Sequence, residues 1–227
     1  LDLCRMLSVP IDACALCGEL GHSREGCKHA QPCSPQPLPL DFDEAGRLLL
    51  ARLGDEPVGS YDHLNVIWKP ASGAGAVYVG DLQAARSLPT LQKLGITHVI
   101  NCMQSGGSTA GHYHDKMNYL NFDVTNWQEH VEAGEGAEER ARDFFLPMVR
   151  YAREAAEAGG GVLIHCFAGA HRAGTAGVGF LIAVEGLSQR DALAAAQRCR
   201  PVINPAAQFA GVHFVKLLSL LELGCAR

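Results

Sequence analysis

The sequence predicts an α/β domain preceded by a small cysteine-rich segment, and three observations lead to this prediction. Strand-like and helix-like segments alternate from about Gly73 to the end of the chain. Four of the nine cysteines crowd between Cys14 and Cys33. The 227 residues are 48% hydrophobic and 19% charged, with a mean hydropathy of +0.03. This composition is typical of a chain that buries a packed core.

Composition divides the chain into three regions. Residues 1–33 are short, rich in cysteine and punctuated by glycine. Residues 34–72 contain SPQPLPL, two acidic clusters and few periodic apolar positions, which predicts mainly a linker, with one or two amphipathic turns in DEAGRLLLARLGDE. Residues 73–223 carry the alternating segments and are predicted to form the α/β domain.

Four short runs of β-branched or aromatic residues, each bounded by glycine or polar residues, predict strands. They are Val77–Gly80, Thr97–Cys102, Asn118–Val124 and Val162–Cys166. Helices are predicted between them from capping and periodicity. The signals are N-caps at Asp81 and Ser87, a helix stop at Gly95, an apolar stripe around Phe145 with a bend at Pro147, a capping box at Ser188 and Asp191, and a terminal helix that opens at Asn204-Pro205.

The most informative segment joins the last predicted strand to an apolar helix through HCFAGAHR. Successive backbone N–H groups between a strand and a helix N-terminus form a cradle for an anion. Such a cradle would stabilise the thiolate of Cys166, which is the nucleophilic form. Arg172 could hold two phosphoryl oxygens in a two-pronged contact. The residues predicted to bind the phosphoryl group through the loop are Phe167, Ala168, Gly169, Ala170 and His171.

This segment resembles the H-C-x-x-G-x-x-R signature of cysteine-dependent protein phosphatases, most closely the dual-specificity group. The resemblance extends over roughly residues 74–222 and includes AVYVGDLQAARSLPTLQKLGITHVINC and AQRCRPVINPAAQFAGVHFVKLL. It implies a catalytic domain over residues 73–223 with a central mixed, mostly parallel sheet flanked by helices. It also implies that Cys166 is the nucleophile, that Arg172 clamps the phosphate and that His165 orients the loop, while His171 either adds charge at the loop mouth or faces solvent.

The resemblance implies a protein phosphatase that hydrolyses phosphotyrosine through a cysteinyl-phosphate intermediate, with phosphoserine and phosphothreonine as further candidate substrates and no cofactor at the catalytic site. Two residues depart from the family pattern. Ala173 follows the arginine where relatives carry a hydroxyl that helps the intermediate break down, and Thr175 lies two residues further on. Asn126 stands where relatives carry the aspartate that protonates the leaving oxygen, with Asp123 nearby. We therefore expect slower turnover and a bias towards aryl phosphates.

The N-terminal segment CALCGELGHSREGC has the spacing C-x2-C-x4-H-x4-C. Three thiolates and one imidazole suit a tetrahedral structural Zn2+ ion, which predicts a metal site with the ligands Cys14, Cys17, His22 and Cys27. The pattern is similar to the CCHC zinc knuckle, which implies single-stranded nucleic acid or a protein as partner. The segment has no aromatic residue between its ligands, so both partner classes stay open.

Net charge and cysteine usage limit the remaining possibilities. The net charge of −5 and the pI of about 6.0 argue against a broad basic surface for nucleic acid. An odd number of cysteines with one dense cluster favours reduced thiols plus a metal site, and hence a cytoplasmic or nuclear protein with no membrane partner. The chain begins at Leu1 rather than methionine, so we expect a piece of a longer protein or a processed product.

Three functional hypotheses follow. The first is a phosphatase that acts on phosphoproteins. The second keeps the same chemistry but takes RNA 5′-phosphates or glucan as substrate. The third is a phosphate-binding module of the pseudophosphatase type with little turnover, which is suggested by Ala173 and Asn126.

Overall fold

The computed structural model describes residues 41–54, 61–103, 115–132, 134–207 and 212–226. The chain divides into two compact units, Leu1–Leu38 and Pro39–Arg227, and all described residues belong to the second. The predicted zinc ligands therefore lie outside the described residues.

A five-stranded sheet forms the centre of this unit. Its strands are β1 (Leu64–Trp68), β2 (Ala76–Gly80), β3 (Ile96–Asn101), β4 (Asn118–Asn121) and β5 (Gly161–His165). Their spatial order is β1-β2-β5-β3-β4. Only the pairing of β1 with β2 is antiparallel, whereas β2, β5, β3 and β4 run parallel to one another. The predicted mixed, mostly parallel sheet is thus confirmed.

Helices lie on both sides of the sheet, as the alternation of segments predicted. Their bounds are α1 (Phe42–Gly54), α2 (Leu82–Arg86), α3 (Leu88–Lys93), α4 (Trp127–Val131), α5 (Ala137–Glu157), α6 (Arg172–Glu185), α7 (Gln189–Cys199) and α8 (Phe214–Cys225), with a 3-10 turn at Val124–Asn126. Two predicted caps are present: Asp81 accepts a hydrogen bond from the Ala84 N–H at 2.8 Å, and Ser188 accepts one from the Asp191 N–H at 3.1 Å.

The central strand β5 is buried along its whole length. Val162 and Ile164 pack into the larger apolar core with α5, α6 and α8, and Leu163 packs into a second core under α2 and α3. Because successive side chains of a strand point to opposite faces, both faces of the sheet are covered. The strand that leads into Cys166 is therefore packed from both sides.

Two predictions of organisation were wrong. The predicted linker over residues 34–72 contains α1 and the edge strand β1, both of which belong to the folded unit. The terminal helix begins at Phe214 rather than at Asn204-Pro205, because Asn204 is engaged in a turn: its N–H donates to the Ala170 carbonyl at 3.1 Å. Within the described residues, no helix combines the length and apolar character that a membrane crossing requires.

Candidate active site

Three strands deliver their next residues to the same edge of the sheet. Asn101 of β3 is in register with His165 of β5 and with Asn121 of β4. Cys166 and Cys102 follow β5 and β3 directly, and the Cys102 N–H donates to the His165 carbonyl at 2.8 Å. Because the carboxyl ends of parallel strands meet at one edge, this is where an α/β protein builds a site.

The two cysteines at this edge differ in their surroundings. Cys102 is fully buried in the apolar core, and burial raises the pKa of its thiol well above the usual value, an effect that the neighbouring Cys166 reinforces. Cys166 is 2% exposed and opens the loop that leads into α6. Only Cys166 therefore stands at the entrance of the loop and of a helix N-terminus.

The loop after Cys166 is tied down by its carbonyl groups. Four successive carbonyls accept hydrogen bonds from the protein behind the loop: Phe167 from Leu82 N at 3.0 Å, Ala168 from Arg200 Nη2 at 3.1 Å, Gly169 from Arg200 Nε at 3.0 Å, and Ala170 from Asn204 N at 3.1 Å. In a trans peptide unit the N–H points opposite to the C=O. The N–H groups that follow these carbonyls therefore face the other side of the loop, an arrangement suited to binding an anion.

Gly169 is required for this path of the loop. Its φ is +65°, in the left-handed region that favours glycine. A Cβ atom at this position would lie 2.5 Å from the carbonyl oxygen of Gly80, which is main chain and has little freedom to give way. The signature glycine thus permits close packing of the loop on β2.

Arg200 is the main support behind the loop, and the sequence analysis gave it no role. Its side chain is 1% exposed and donates to the two loop carbonyls, to the Asp62 carbonyl at 2.7 Å and to the Tyr61 hydroxyl at 2.8 Å. The Tyr61 hydroxyl in turn donates to the buried Asp81 carboxylate at 2.9 Å, and burial raises the pKa of Tyr61. The signal for Arg200 was its place in the quoted Arg-Pro segment, whereas nothing in the local sequence marks Tyr61.

Arg172, the predicted phosphate clamp, begins α6 and is 3% exposed. Its Nη2 donates to the carboxylate of Asp43, and its guanidinium carbon lies 5.2 Å from the centre of the Phe42 ring. Both partners belong to α1, inside the segment that was predicted to be a linker. Sequence reasoning missed this contact because 129 positions separate the two charged residues.

Asn126 stands where the resemblance implies a proton-donating aspartate, and none of the nearby acidic side chains in the described residues is placed to take over that role. Asn126 donates from Nδ2 to Asp123 Oδ2 at 2.8 Å, and Asp123 Oδ1 accepts from the Thr125 N–H at 3.2 Å. Both oxygens of the Asp123 carboxylate are therefore already engaged by its own neighbours in the chain. Among the other nearby acids, Glu129 is exposed and Glu132 binds Lys216 Nζ at 2.5 Å.

The residues that follow the loop support the expectation of slow breakdown of an intermediate. Ala173 is fully buried and offers no hydroxyl. The hydroxyl of Thr175 donates to the His171 carbonyl at 2.7 Å, within the first turn of α6. His171 is half-buried and donates from Nδ1 to the Asn204 carbonyl at 2.9 Å, and burial lowers its pKa, which disfavours the charged form.

The predicted zinc ligands Cys14, Cys17, His22 and Cys27 lie outside the described residues. In the part of the chain that is described, no cluster of three or more histidine, cysteine or acidic side chains is arranged to hold a metal ion. That search does not bear on the N-terminal segment.

Comparison with known proteins agrees with this geometry. Residues 77–213 match the family model for the dual specificity phosphatase catalytic domain. The chain is 31% identical over 115 residues to the dual specificity protein phosphatase PHS1 of Arabidopsis thaliana, covering 50% of this chain and 11% of that protein. It is 27% identical over 179 residues to human dual specificity protein phosphatase 13B, covering 78% of this chain and 80% of that protein.

Two solved structures share the fold. Human DUSP28 covers 74% of this chain and 98% of its own, with a TM-score of 0.53 and 19% identity. The human tyrosine phosphatase-like serine/threonine/tyrosine-interacting protein covers 70% of this chain and 95% of its own, with a TM-score of 0.54 and 26% identity. Because the family model matches more than half of the chain, the chain belongs to the dual specificity phosphatase catalytic-domain family.

Proposed function

We propose that the chain is a phosphoric monoester hydrolase that acts on phosphoproteins, with Cys166 as nucleophile and Arg172 as phosphate clamp. The observation that carries this proposal is the set of four successive loop carbonyls tied to the protein behind the loop, which turns the following N–H groups to one side. Donors that are held in advance stabilise the charge of a phosphoryl group without reorganisation. The names of the curated relatives, which are protein phosphatases, support a phosphoprotein as substrate.

The proposed reaction has two steps. The Cys166 thiolate attacks phosphorus, the S–P bond forms and the bond to the leaving oxygen breaks, so that an alkoxide or phenolate departs with the bonding electrons and takes a proton from water. Water then attacks the cysteinyl phosphate, releasing inorganic phosphate and the thiolate. Arg172 and the loop N–H groups would hold the equatorial oxygens through both steps.

The surroundings of Asn126 favour phosphotyrosine over phosphoserine and phosphothreonine. A phenolate leaves more easily without a proton than an alkoxide does, the Asn126 amide cannot supply a proton, and both Asp123 oxygens already accept hydrogen bonds. We therefore propose that the chain hydrolyses aryl phosphates faster than alkyl phosphates.

A second candidate function is phosphate-dependent binding with little turnover. Ala173 and the engaged hydroxyl of Thr175 support it, because neither supplies the hydroxyl that helps the intermediate break down. The similarity to the human tyrosine phosphatase-like serine/threonine/tyrosine-interacting protein also supports it, because that name describes an interacting protein. The two functions share the oxyanion site and differ only in turnover.

The test compares the full chain with Cys166→Ser and Arg172→Lys variants in two assays. We expect the wild type to release phosphate from an aryl phosphate and Cys166→Ser to release none, while Cys166→Ser still binds a phosphotyrosine peptide and Arg172→Lys binds it at least tenfold more weakly. Binding without turnover in the wild type would select the second function. A wild type that neither binds the phosphotyrosine peptide nor releases phosphate would refute both functions.

We also propose that the N-terminal segment holds structural zinc through Cys14, Cys17, His22 and Cys27. The spacing of four soft ligands supports this proposal, and a segment this short gains its folding energy from the metal. Elemental analysis of the purified full chain should give one zinc per chain, and a Cys14→Ser variant should lose it. A nucleic acid or a protein as the partner of this segment is a proposal that follows only if zinc is present.

A further inference from the structure

The N-terminal part of α1 lies directly on the candidate active site. Asp43 accepts a hydrogen bond from Arg172 Nη2, and the Phe42 ring packs against the same guanidinium. A Cβ atom on Gly46 would lie 2.8 Å from the Phe167 ring, so α1 also touches the loop residue that follows the cysteine. The Arg47 guanidinium lies over that ring, 5.5 Å from its centre.

We propose that Asp43 is a built-in competitor for the phosphoryl group, so that α1 sets the affinity of the site for its substrate. This inference rests on the proposed function. A carboxylate on an arginine resembles a phosphoryl group in charge and in acceptor geometry. A phosphate held by two nitrogens uses Nη2 together with Nε or with Nη1, so it has to share Nη2 with the Asp43 carboxylate, which already occupies one of the two N–H groups of that nitrogen.

The burial of the pair gives this competition weight. The Arg172 side chain is 4% exposed and that of Asp43 is 33% exposed, so the ion pair is only partly screened by water. A phosphate dianion that enters beside Asp43 meets a like charge in a partly buried place, which costs binding free energy. The free energy needed to displace the carboxylate and the repulsion between the like charges act in the same direction, and both oppose binding while α1 is in place.

The attachment of α1 is suited to such a role, because its buried residues are those that face the loop. Over its described side chains, Phe42 and Gly46 are buried, while Leu48 on the remaining part of the helix is 56% exposed. Besides Arg172, Phe42 packs against Phe214, with the two ring centres 5.6 Å apart. The helix is thus anchored near its start, and an incoming oxyanion acts on that anchor.

Asp43→Asn is the direct test, since asparagine keeps the size of the side chain and removes its charge. Glu44→Gln is the matched control, because it removes the same charge from the next residue, which is exposed. We measure binding of inorganic tungstate to the full chain by calorimetry at one ionic strength. Asp43→Asn should bind tungstate about tenfold more tightly than the wild type, and Glu44→Gln should bind it like the wild type.

Hydrogen exchange gives a second readout that does not depend on the size of the affinity change. Saturating tungstate should speed exchange of the α1 amides in the wild type, because the carboxylate is released, although a bound ligand usually protects a site. In Asp43→Asn the α1 amides should exchange at the same rate with and without tungstate.

The outcomes separate this inference from the proposed function. If all variants bind tungstate but Asp43→Asn binds it no more tightly than the wild type, Asp43 is not a competitor and this inference fails alone. Weaker binding by Asp43→Asn has the same meaning and would show that Asp43 positions Arg172 for the ligand. If neither the wild type nor any variant binds tungstate, there is no oxyanion site, and the proposed function fails together with this inference.

Discussion

At the scale of single residues, the contrast between Asn126 and Asp123 bears most directly on chemistry. The Asn126 amide donates to Asp123 Oδ2 at 2.8 Å, so the position where relatives carry their acid lies within one hydrogen bond of a carboxylate. A second carboxyl at this distance would share a proton with Asp123, because two like charges so close disfavour each other. A single substitution, Asn126→Asp, would therefore create a pair of carboxyl groups that could act as a general acid.

The Asn126→Asp variant should hydrolyse alkyl phosphates at least tenfold faster than the wild type at pH 6, with a smaller gain on aryl phosphates. The physical reason is that a protonated carboxyl helps a basic alkoxide to leave far more than it helps a phenolate, and such help is worth about 10²–10⁴-fold. Steady-state rates on matched phosphoserine and phosphotyrosine peptides provide the measurement.

The control for this prediction is Glu129→Gln, which alters an exposed acid in the next helical turn and should leave both rates unchanged. Equal gains on both peptides would contradict the acid role and indicate a general change in binding. A double variant that adds Asp123→Asn should lose the pH dependence that the paired carboxyls create.

At the scale of elements, the loop depends on a side chain from the end of α7. Arg200 spans the carbonyls of Ala168 and Gly169 and links them to Tyr61 and Asp62. A guanidinium does this because its five N–H groups lie in one plane, whereas an ammonium offers three donors at one point. The geometry of the cradle is therefore held by the residue that ends the neighbouring helix.

Arg200→Lys should lower kcat/KM on an aryl phosphate by at least tenfold and should weaken tungstate binding, because the loop carbonyls lose their common donor. It should also lower the free energy of unfolding by about 1–3 kcal/mol. The matched control is Arg198→Lys, which lies two residues earlier on the same helix and is exposed. A loss of stability with unchanged tungstate affinity would show that Arg200 supports the fold but not the cradle.

The elements that could be predicted from the sequence are those whose signals are local. The cap at Asp81, the capping box at Ser188 and the strand that runs into Cys166 each depend on residues a few positions apart. Strand β1 was missed because its short run LNVIW has no regular alternation of polar and apolar residues, and its pairing with β2 contains a register shift near Trp68. Edge strands of this kind are defined by their partner rather than by their own pattern.

The candidate site likewise has one part that the local sequence predicts and another part that depends on tertiary packing. The loop from Cys166 to Arg172 could be read from eight consecutive letters, because the anion cradle is a property of the local main chain. The contacts of Asp43 and Arg200 could not, since they arise from tertiary packing across large separations in sequence. The support of the loop and the helix that covers it thus came from the structure.

At the scale of the whole molecule, the loop couples stability to pH through His171. Burial lowers the pKa of this imidazole, and the positive charge of Arg172 lowers it further, against the opposing effect of the hydrogen bond to the Asn204 carbonyl. The unfolded chain has the ordinary histidine pKa of about 6.5 and so binds this proton at higher pH than the folded chain. Stability therefore decreases as the pH falls from 7 through the window between the two pKa values.

The free energy of unfolding in urea should fall between pH 7 and pH 5, and the fall should be smaller in His171→Asn, because asparagine keeps a donor for the Asn204 carbonyl without titrating. His213→Gln, an exposed histidine at the start of α8, is the control and should follow the wild type. Burial also lowers the pKa of His98, so this residue too makes the folded chain less stable as the pH falls. The quantity to compare is therefore the difference in the free energy of unfolding between the variant and the wild type. An equal fall in His171→Asn and in the wild type would show that the loop histidine is not the source of the acid sensitivity.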